Sequence, residues 1–153
     1  MKLTALSSLL LVVALTTRAD TKVVLPDTQR FAETGKDFLV ETTVPGDFKS
    51  LDAIILALLT LSPQNPKHLS TPFFPDAVGE TKEPLYHSFR GVRQKGSKIT
   101  LRFSGGAMRY LNSAISLQEM IKGALEGTIK LHARECKTIE YGVDDQVVED
   151  WDA

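Results

Sequence analysis

The chain carries one cysteine, Cys136, so no disulfide can close within it and a folded state must rest on packing. Free cysteine is among the most buried residue types, and a buried, inert thiol is the expectation here, ahead of a reactive one. Histidine is also sparse, at three residues. His68, His87 and His132 are far apart and fall on a predicted loop, strand and helix, which excludes a histidine-built metal centre of ordinary spacing. Neither sign of charge dominates: 18 Lys and Arg stand against 19 Asp and Glu, for a net charge of −1. That balance gives no general field to attract a polyanion. Long apolar runs are also missing, since a bilayer span needs ~20 consecutive apolar residues. The longest candidate, Leu3 to Leu15, is broken by Thr4, Ser7 and Ser8.

That first run has another meaning. Lys2 precedes it, and Thr17-Arg18-Ala19 places small residues at the positions a signal peptidase reads. Residues 1–19 are therefore expected to be a signal peptide, and residues 20–153 a single exported domain, periplasmic or extracellular. No cysteine follows the cleavage point to take a lipid anchor, and no membrane insertion is expected after cleavage.

Two strands are expected early. "TKVVLP" is a short apolar run stopped by Pro26, and "DFLVETTVPG" places Phe38, Val40, Thr42 and Val44 on one face. With Gly35 as a turn residue they can pair as an antiparallel hairpin. A helix follows, with Asp47 or Ser50 as its cap and Leu51, Ile54, Ile55 and Leu58 at helical spacing. Leu56, Leu59 and Leu61 widen the apolar surface, so contact on more than one side is expected. Residues 62–84 then form a long proline-rich loop containing "TPFFPD". An adjacent aromatic pair is costly to leave in water. One ring of Phe73 and Phe74 is expected to cover the end of the helix and the other to contact a partner.

The stretch "FRGVRQKGSKITLRFSGG" is the most basic in the chain. Ile99, Leu101 and Phe103 alternate with polar residues as in a half-buried strand, and the run from Leu85 to Gln94 reads as its partner. Gly91 is placed for a bulge that restores phase between Phe89 and Val92. Arg90, Arg93, Lys95, Lys98 and Arg102 then fall on the turn and the solvent face. A phosphate cradle needs glycines leading from a strand into a helix, and Gly96 leads into a strand. No aromatic shares the basic face, so nucleic-acid stacking is excluded as well. Edge protection is the first role for these charges, and docking an acidic protein surface is the second.

A second helix is expected from Ser116-Leu117-Gln118-Glu119, a capping-box pattern. Thr128 to Ala133 can also be read as a strand, but continuation of the helix to about His132 fits the spacing better. Gly123 and Gly127 would let this helix approach another backbone closely. At the end of the chain, Ile139, Tyr141 and Val143 alternate, Asp144-Asp145 make a turn, and Val147-Val148 start a short return. Trp151 is expected to cover the sheet edge. The acidic end, set against the basic hairpin, suggests head-to-tail self-association.

Catalytic groups do not assemble from this list. His132 lies four residues before Cys136, but no oxyanion site accompanies the pair. Asp144, Asp145, Glu149 and Asp150 crowd one acidic tail and are not set across a cleft. The expectation is a non-catalytic domain without metal or cofactor, with α+β architecture: a mostly antiparallel sheet with two helices packed on one face.

Several patterns together resemble the GerMN domain, a family named for a spore-germination lipoprotein. They are "ILALLTLSPQNP", "LSTPFFPDA", "VRQKGSKITLRFS", "SLQEMIKGAL" and "TIEYGVDDQVV", spanning roughly Asp37 to Glu149. The chain departs from that family at Asp144-Asp145, where Asp-Gly is usual, in its longer proline loop and in its mid-helix glycines. The resemblance implies a fold like the ring-building motifs of secretion channels. It also implies a protein-interaction role in a cell-envelope assembly, sporulation included, with a protein partner of the envelope or a second copy of the chain. The contact candidates are Phe73, Phe74, Arg90, Arg93, Lys95 and Lys98. In size and element mix the chain is also similar to small cystatin-like folds, which implies instead a secreted ligand-binding or protease-inhibitor module.

Overall fold

The computed structural model describes residues 19–62, 68–78 and 83–148. Strand β1 (Asp20–Pro26) pairs antiparallel with β2 (Leu39–Pro45), with Val23 opposite Thr42. The connection between them is not a tight turn. It contains helix α1 (Thr28–Thr34), capped by Asp27, whose carboxylate accepts from the Gln29 and Arg30 amides at 3.0 Å each. Gly35, at φ +61°, closes its other end in the left-handed conformation that glycine takes without strain. No apolar stripe announces this helix. Phe31 is its aromatic anchor, packing edge-on against Phe38 at 4.9 Å, and Thr28 ties its start to the His68 carbonyl.

Helix α2 (Leu51–Leu59) starts at Ser50, whose hydroxyl accepts from the Ala53 amide at 3.2 Å. Ile54, Ile55, Leu58 and Leu59 are buried, whereas Leu56 stays 43% exposed and does not widen the apolar face. In its first turn, Asp52 reaches the sheet and accepts from the Val92 amide at 2.8 Å. Of the loop expected at 62–84, residues 63–67 and 79–82 lie outside the described residues. The described part is more ordered than its prolines suggest. His68 and Ser70 hydrogen bond alongside Pro26 and Thr28, and α3 (Pro75–Val78) adds one turn.

Leu85–Ser88 is a 3-10 turn, not the start of a strand, and β3 (Phe89–Lys95) begins after it. The bulge sits where Gly91 predicts it: the register with β4 (Lys98–Phe103) shifts between Phe89 and Gly91, and Gly91 has φ +110°. A 3-10 turn at Gly105–Ala107 and α4 (Met108–Leu111) then lead into α5 (Ile115–His132). The chain returns as β5 (Thr138–Val143), parallel to β4, and ends in β6 (Gln146–Val147). The sheet order is β3-β4-β5-β6, separate from the β1–β2 pair. The architecture is α+β, with one parallel pairing at the centre of an otherwise antiparallel arrangement. Trp151 lies outside the described residues.

Helix α5 touches both sheets. Gly123 and Gly127 face the β1–β2 pair so closely that a Cβ would lie 2.7 Å from Leu39 and 3.0 Å from Val24. Beside them the buried Thr128 hydroxyl accepts from the Val24 amide at 2.9 Å. Tyr141, on the inner face of the larger sheet, donates to Glu126 of α5 at 3.0 Å. The helix reaches His132, as the periodicity predicts, but its start differs from the capping-box reading. Ala114 is the N-cap and has no side-chain bond, and Ser116 lies inside the first turn. Gln118, 4% exposed, supplies the local tie instead by donating to the Ser113 carbonyl at 2.6 Å. Val23, Leu25, Leu58, Phe73, Leu101 and Ile121 belong to one continuous core. Among the described residues no helix is long and apolar enough to cross a membrane.

Candidate functional site

The outer face of the four-stranded sheet carries its polar alternation. Opposite Ile99, Leu101 and Phe103, which are buried, β4 presents Lys98, Thr100 and Arg102 outward. Arg93 sits across from Thr100, and Lys95 across from Lys98. Over the middle of this face runs a groove of about 310 Å³. Arg90, Arg93 and Arg102 form one side of it, and Glu140, Asp144 and Asp145 the other. Gly142 and Thr100 lie between them, with Gln146 and Val147 at the β6 end.

Hydrogen bonds commit some of these groups and leave others open. Thr100 donates to Glu140 at 2.8 Å, and Lys98 lies 3.2 Å from the same carboxylate oxygen. The Thr100 hydrogen bond, with help from Lys98, holds the Glu140 carboxyl below its usual range against the opposing effect of desolvation. Asp144 accepts from the Gly105 amide at 3.1 Å and so ties the last turn to the start of the crossover. Arg90 donates back to the carbonyls of His87 and Phe89 at 3.0 and 3.2 Å. Arg102 approaches Asp145 at 3.7 Å, beyond good hydrogen-bond distance. Arg93 and Lys95 have no side-chain partner among the described residues.

The turn that forms the acidic side is itself distinctive. Asp144 and Asp145 have φ +48° and +63°, the pair of left-handed conformations of a type I′ two-residue hairpin turn. Aspartate enters this region more readily than most residues, which explains how Asp-Asp occupies a place where glycine is the easier choice.

The residues singled out from sequence do not all meet here. Arg90 and Arg93 line the groove, and Lys95 and Lys98 lie at the exposed tip of the hairpin outside it. Phe73 is corrected: at 0% exposure it is a core residue, and its carbonyl accepts from the Leu85 amide at 2.8 Å. It cannot reach a partner without unfolding the segment. Phe74 is half-buried and also packs against the core. The acidic turn is not remote from the basic hairpin. Parallel pairing of β4 with β5 sets both in one sheet, so the charge separation proposed for head-to-tail association is partly met within the molecule.

Sequence reasoning missed Glu140, Gly142 and Gln146. Glu140 and Gln146 reach the groove through non-local strand pairing, which leaves no local trace. Gly142, a glycine inside an alternating strand, was the one visible signal.

Two further hollows open elsewhere on the described surface. One, of about 400 Å³, lies among Asp20, Lys22, Phe48 and His132. There the Nε2 of His132 donates to the Lys22 carbonyl at 2.7 Å, a structural tie between α5 and β1. The other, of about 150 Å³, contains Cys136 beside Lys130 and Lys137. Cys136 is half-buried, not fully enclosed as its residue type suggested. Among the described residues no group of three or more His, Cys, Asp or Glu side chains could hold a metal ion. No protein-family model, no curated protein and no solved structure matches this chain.

Proposed function

We propose that this chain is an exported, non-catalytic docking domain of a cell-envelope assembly, binding an acidic protein surface through the β3–β4 hairpin. The observation that carries the reading is the set of uncommitted cations on that hairpin. Arg93 and Lys95 have no partner among the described residues, and Lys95 faces Lys98 directly across the strands. Like charges set opposite one another destabilise a free hairpin, so their placement favours a partner that supplies negative charge. Arg93, Lys95 and Lys98 are exposed, which gives such a partner access. The GerMN-like order of elements in the sequence points the same way. So does the start of β1 at Asp20, immediately after the expected cleavage point.

Charge reversal at Arg93 and Lys95 tests this role. Crosslinking of the native envelope, followed by mass spectrometry, should recover partner peptides with the parent chain. The Arg93→Glu, Lys95→Glu variant should lose them. Identical crosslinks from the two chains would rule out docking through the hairpin. Terminal sequencing of the exported protein should begin at Asp20.

A further inference from the structure

The groove on the outer sheet face has a floor that the fold does not account for. Gly142 lies in β5 with regular pairing on both sides and without the left-handed backbone seen at Gly35, Gly46, Gly91 and Gly96. A Cβ at this position would meet nothing nearer than the Thr100 Cγ2 at 3.5 Å, an ordinary contact. Neither conformation nor packing therefore requires glycine, although glycine weakens a strand interior. With no bulge present, the reason left for a bare strand position is the close approach of another molecule.

The walls specify what kind of molecule. Arg90 and Arg93 come from β3 and Arg102 from β4, while Glu140 comes from β5 and Asp144 and Asp145 from the turn after it. Three cations face three carboxylates, so the lining is formally neutral but sorted by sign. Neighbouring strands lie ~4.8 Å apart, which puts the β3 cations and the acidic side ~10 Å from each other across the floor. A polyanion would gain at one wall and be repelled at the other. A ligand with a carboxylate at one end and an ammonium at the other gains at both. The groups at the two extremes are available, since Arg93 is unpartnered among the described residues and Asp145 is 86% exposed in its long contact with Arg102. Extended peptide advances ~3.3–3.6 Å per residue, so three residues cross the ~10 Å between the β3 and β5 backbones. Arg93 is level with Thr100 and Glu140, so the line from it to Asp145 is a diagonal that passes Gly142. The volume of about 310 Å³ accommodates a ligand of that size.

We propose that this groove binds a short zwitterionic peptide of two or three residues. Its carboxylate pairs with Arg93, its ammonium pairs with Asp145, and its backbone crosses Gly142. The site shares Arg93 with the docking surface above but not Lys95 or Lys98, which do not line it.

Nuclear magnetic resonance titration of the purified chain with trialanine tests the site. The Thr100 and Gly142 amides should shift saturably, at millimolar or lower concentration. Amidating the peptide's carboxylate or acetylating its amine should each weaken binding about tenfold or more, as should Arg93→Ala or Asp145→Asn; ~1.4 kcal/mol corresponds to tenfold. Gly142→Leu fills the floor and should abolish binding with the fold retained. If that variant does not fold, Gly142→Ala, whose added methyl meets only ordinary contacts, should still weaken binding. Lys95→Glu should leave peptide affinity unchanged even where it removes partner crosslinks, which separates failure of this proposal from failure of the docking reading. The proposal is overturned by the absence of a saturable shift at ~10 mM trialanine, far above the micromolar-to-millimolar range of weak ligands. It is equally overturned if the blocked peptides bind as well as the free one, or if inorganic phosphate competes as effectively.

Discussion

Gly123 and Gly127 occupy the same face of α5, yet replacing each with alanine should change stability in opposite directions. Either substitution removes the conformational freedom of a mid-helix glycine, worth ~1 kcal/mol in favour of the folded state. The new methyl groups meet different neighbours. At position 123 the nearest atom is the Leu39 Cδ2, at 2.7 Å, the far end of a side chain that is 40% exposed and can swing into solvent. At position 127 the methyl meets the Val24 Cγ1 at 3.0 Å and its Cβ and Cγ2 at 3.2 Å. Val24 is branched at Cβ and 8% exposed, and its amide is held by Thr128 at 2.9 Å, so it has nowhere to go. Overpacking of this kind costs ~1–3 kcal/mol. Gly123→Ala should therefore be about 0.5 kcal/mol more stable than the parent and Gly127→Ala about 1 kcal/mol less stable. Urea unfolding resolves the gap as a difference between the two midpoints of ~0.5–1.5 M. Equal midpoints, or a more stable Gly127→Ala, would show that the β1–β2 pair yields to the helix and that the close approach is not a constraint.

Three further outcomes follow from the same geometry. Phe73→Ala empties a fully buried site and should cost ~3–5 kcal/mol, whereas Phe74→Ala should cost ~1–2 kcal/mol; circular dichroism melts of the two variants make the comparison. Asp145→Gly relieves one left-handed residue and sacrifices only a long, exposed ion pair, so it should stabilise by ~0.5–1 kcal/mol, read from the urea midpoint. Glu140 titrates below its usual value in the folded chain because of Thr100 and then Lys98, so it contributes stability above the unfolded-state pKa. That contribution is lost as the pH falls through the lower folded-state value, and Glu140→Gln should flatten the decline in urea midpoint from about pH 5 to about pH 3.

Much of the framework could be read along the chain because its signals are local. Alternation located β2, β4 and β5, Ser50 marked the start of α2, and Gly91 marked the bulge. The two left-handed aspartates fell where a turn was expected. What escaped detection was either too short to carry a period or set by distant pairing. Helix α1 has one aromatic anchor, and α4 is a single turn. The Ser116 pattern suggested a start inside a helix that begins earlier, because Gln118 anchors it from within. The candidate groove was half legible. Its cations stood out as a basic cluster, but nothing local reveals that β5 joins β4 in parallel and brings Glu140, Asp144 and Asp145 alongside them. Phe73 misled for a related reason: an aromatic pair among prolines looks available until the core that receives one ring is assembled.

The reach of Asp52 from α2 to the Val92 amide bears on how the molecule can assemble. That amide lies on the outer rim of β3, where an incoming strand would begin to zip, and the chain's own carboxylate already fills the position. The opposite rim is the two-residue β6, too brief to template a ladder. With a position on one border already filled and the other border so short, edgewise growth of a fibre from the four-stranded sheet is disfavoured from the outset.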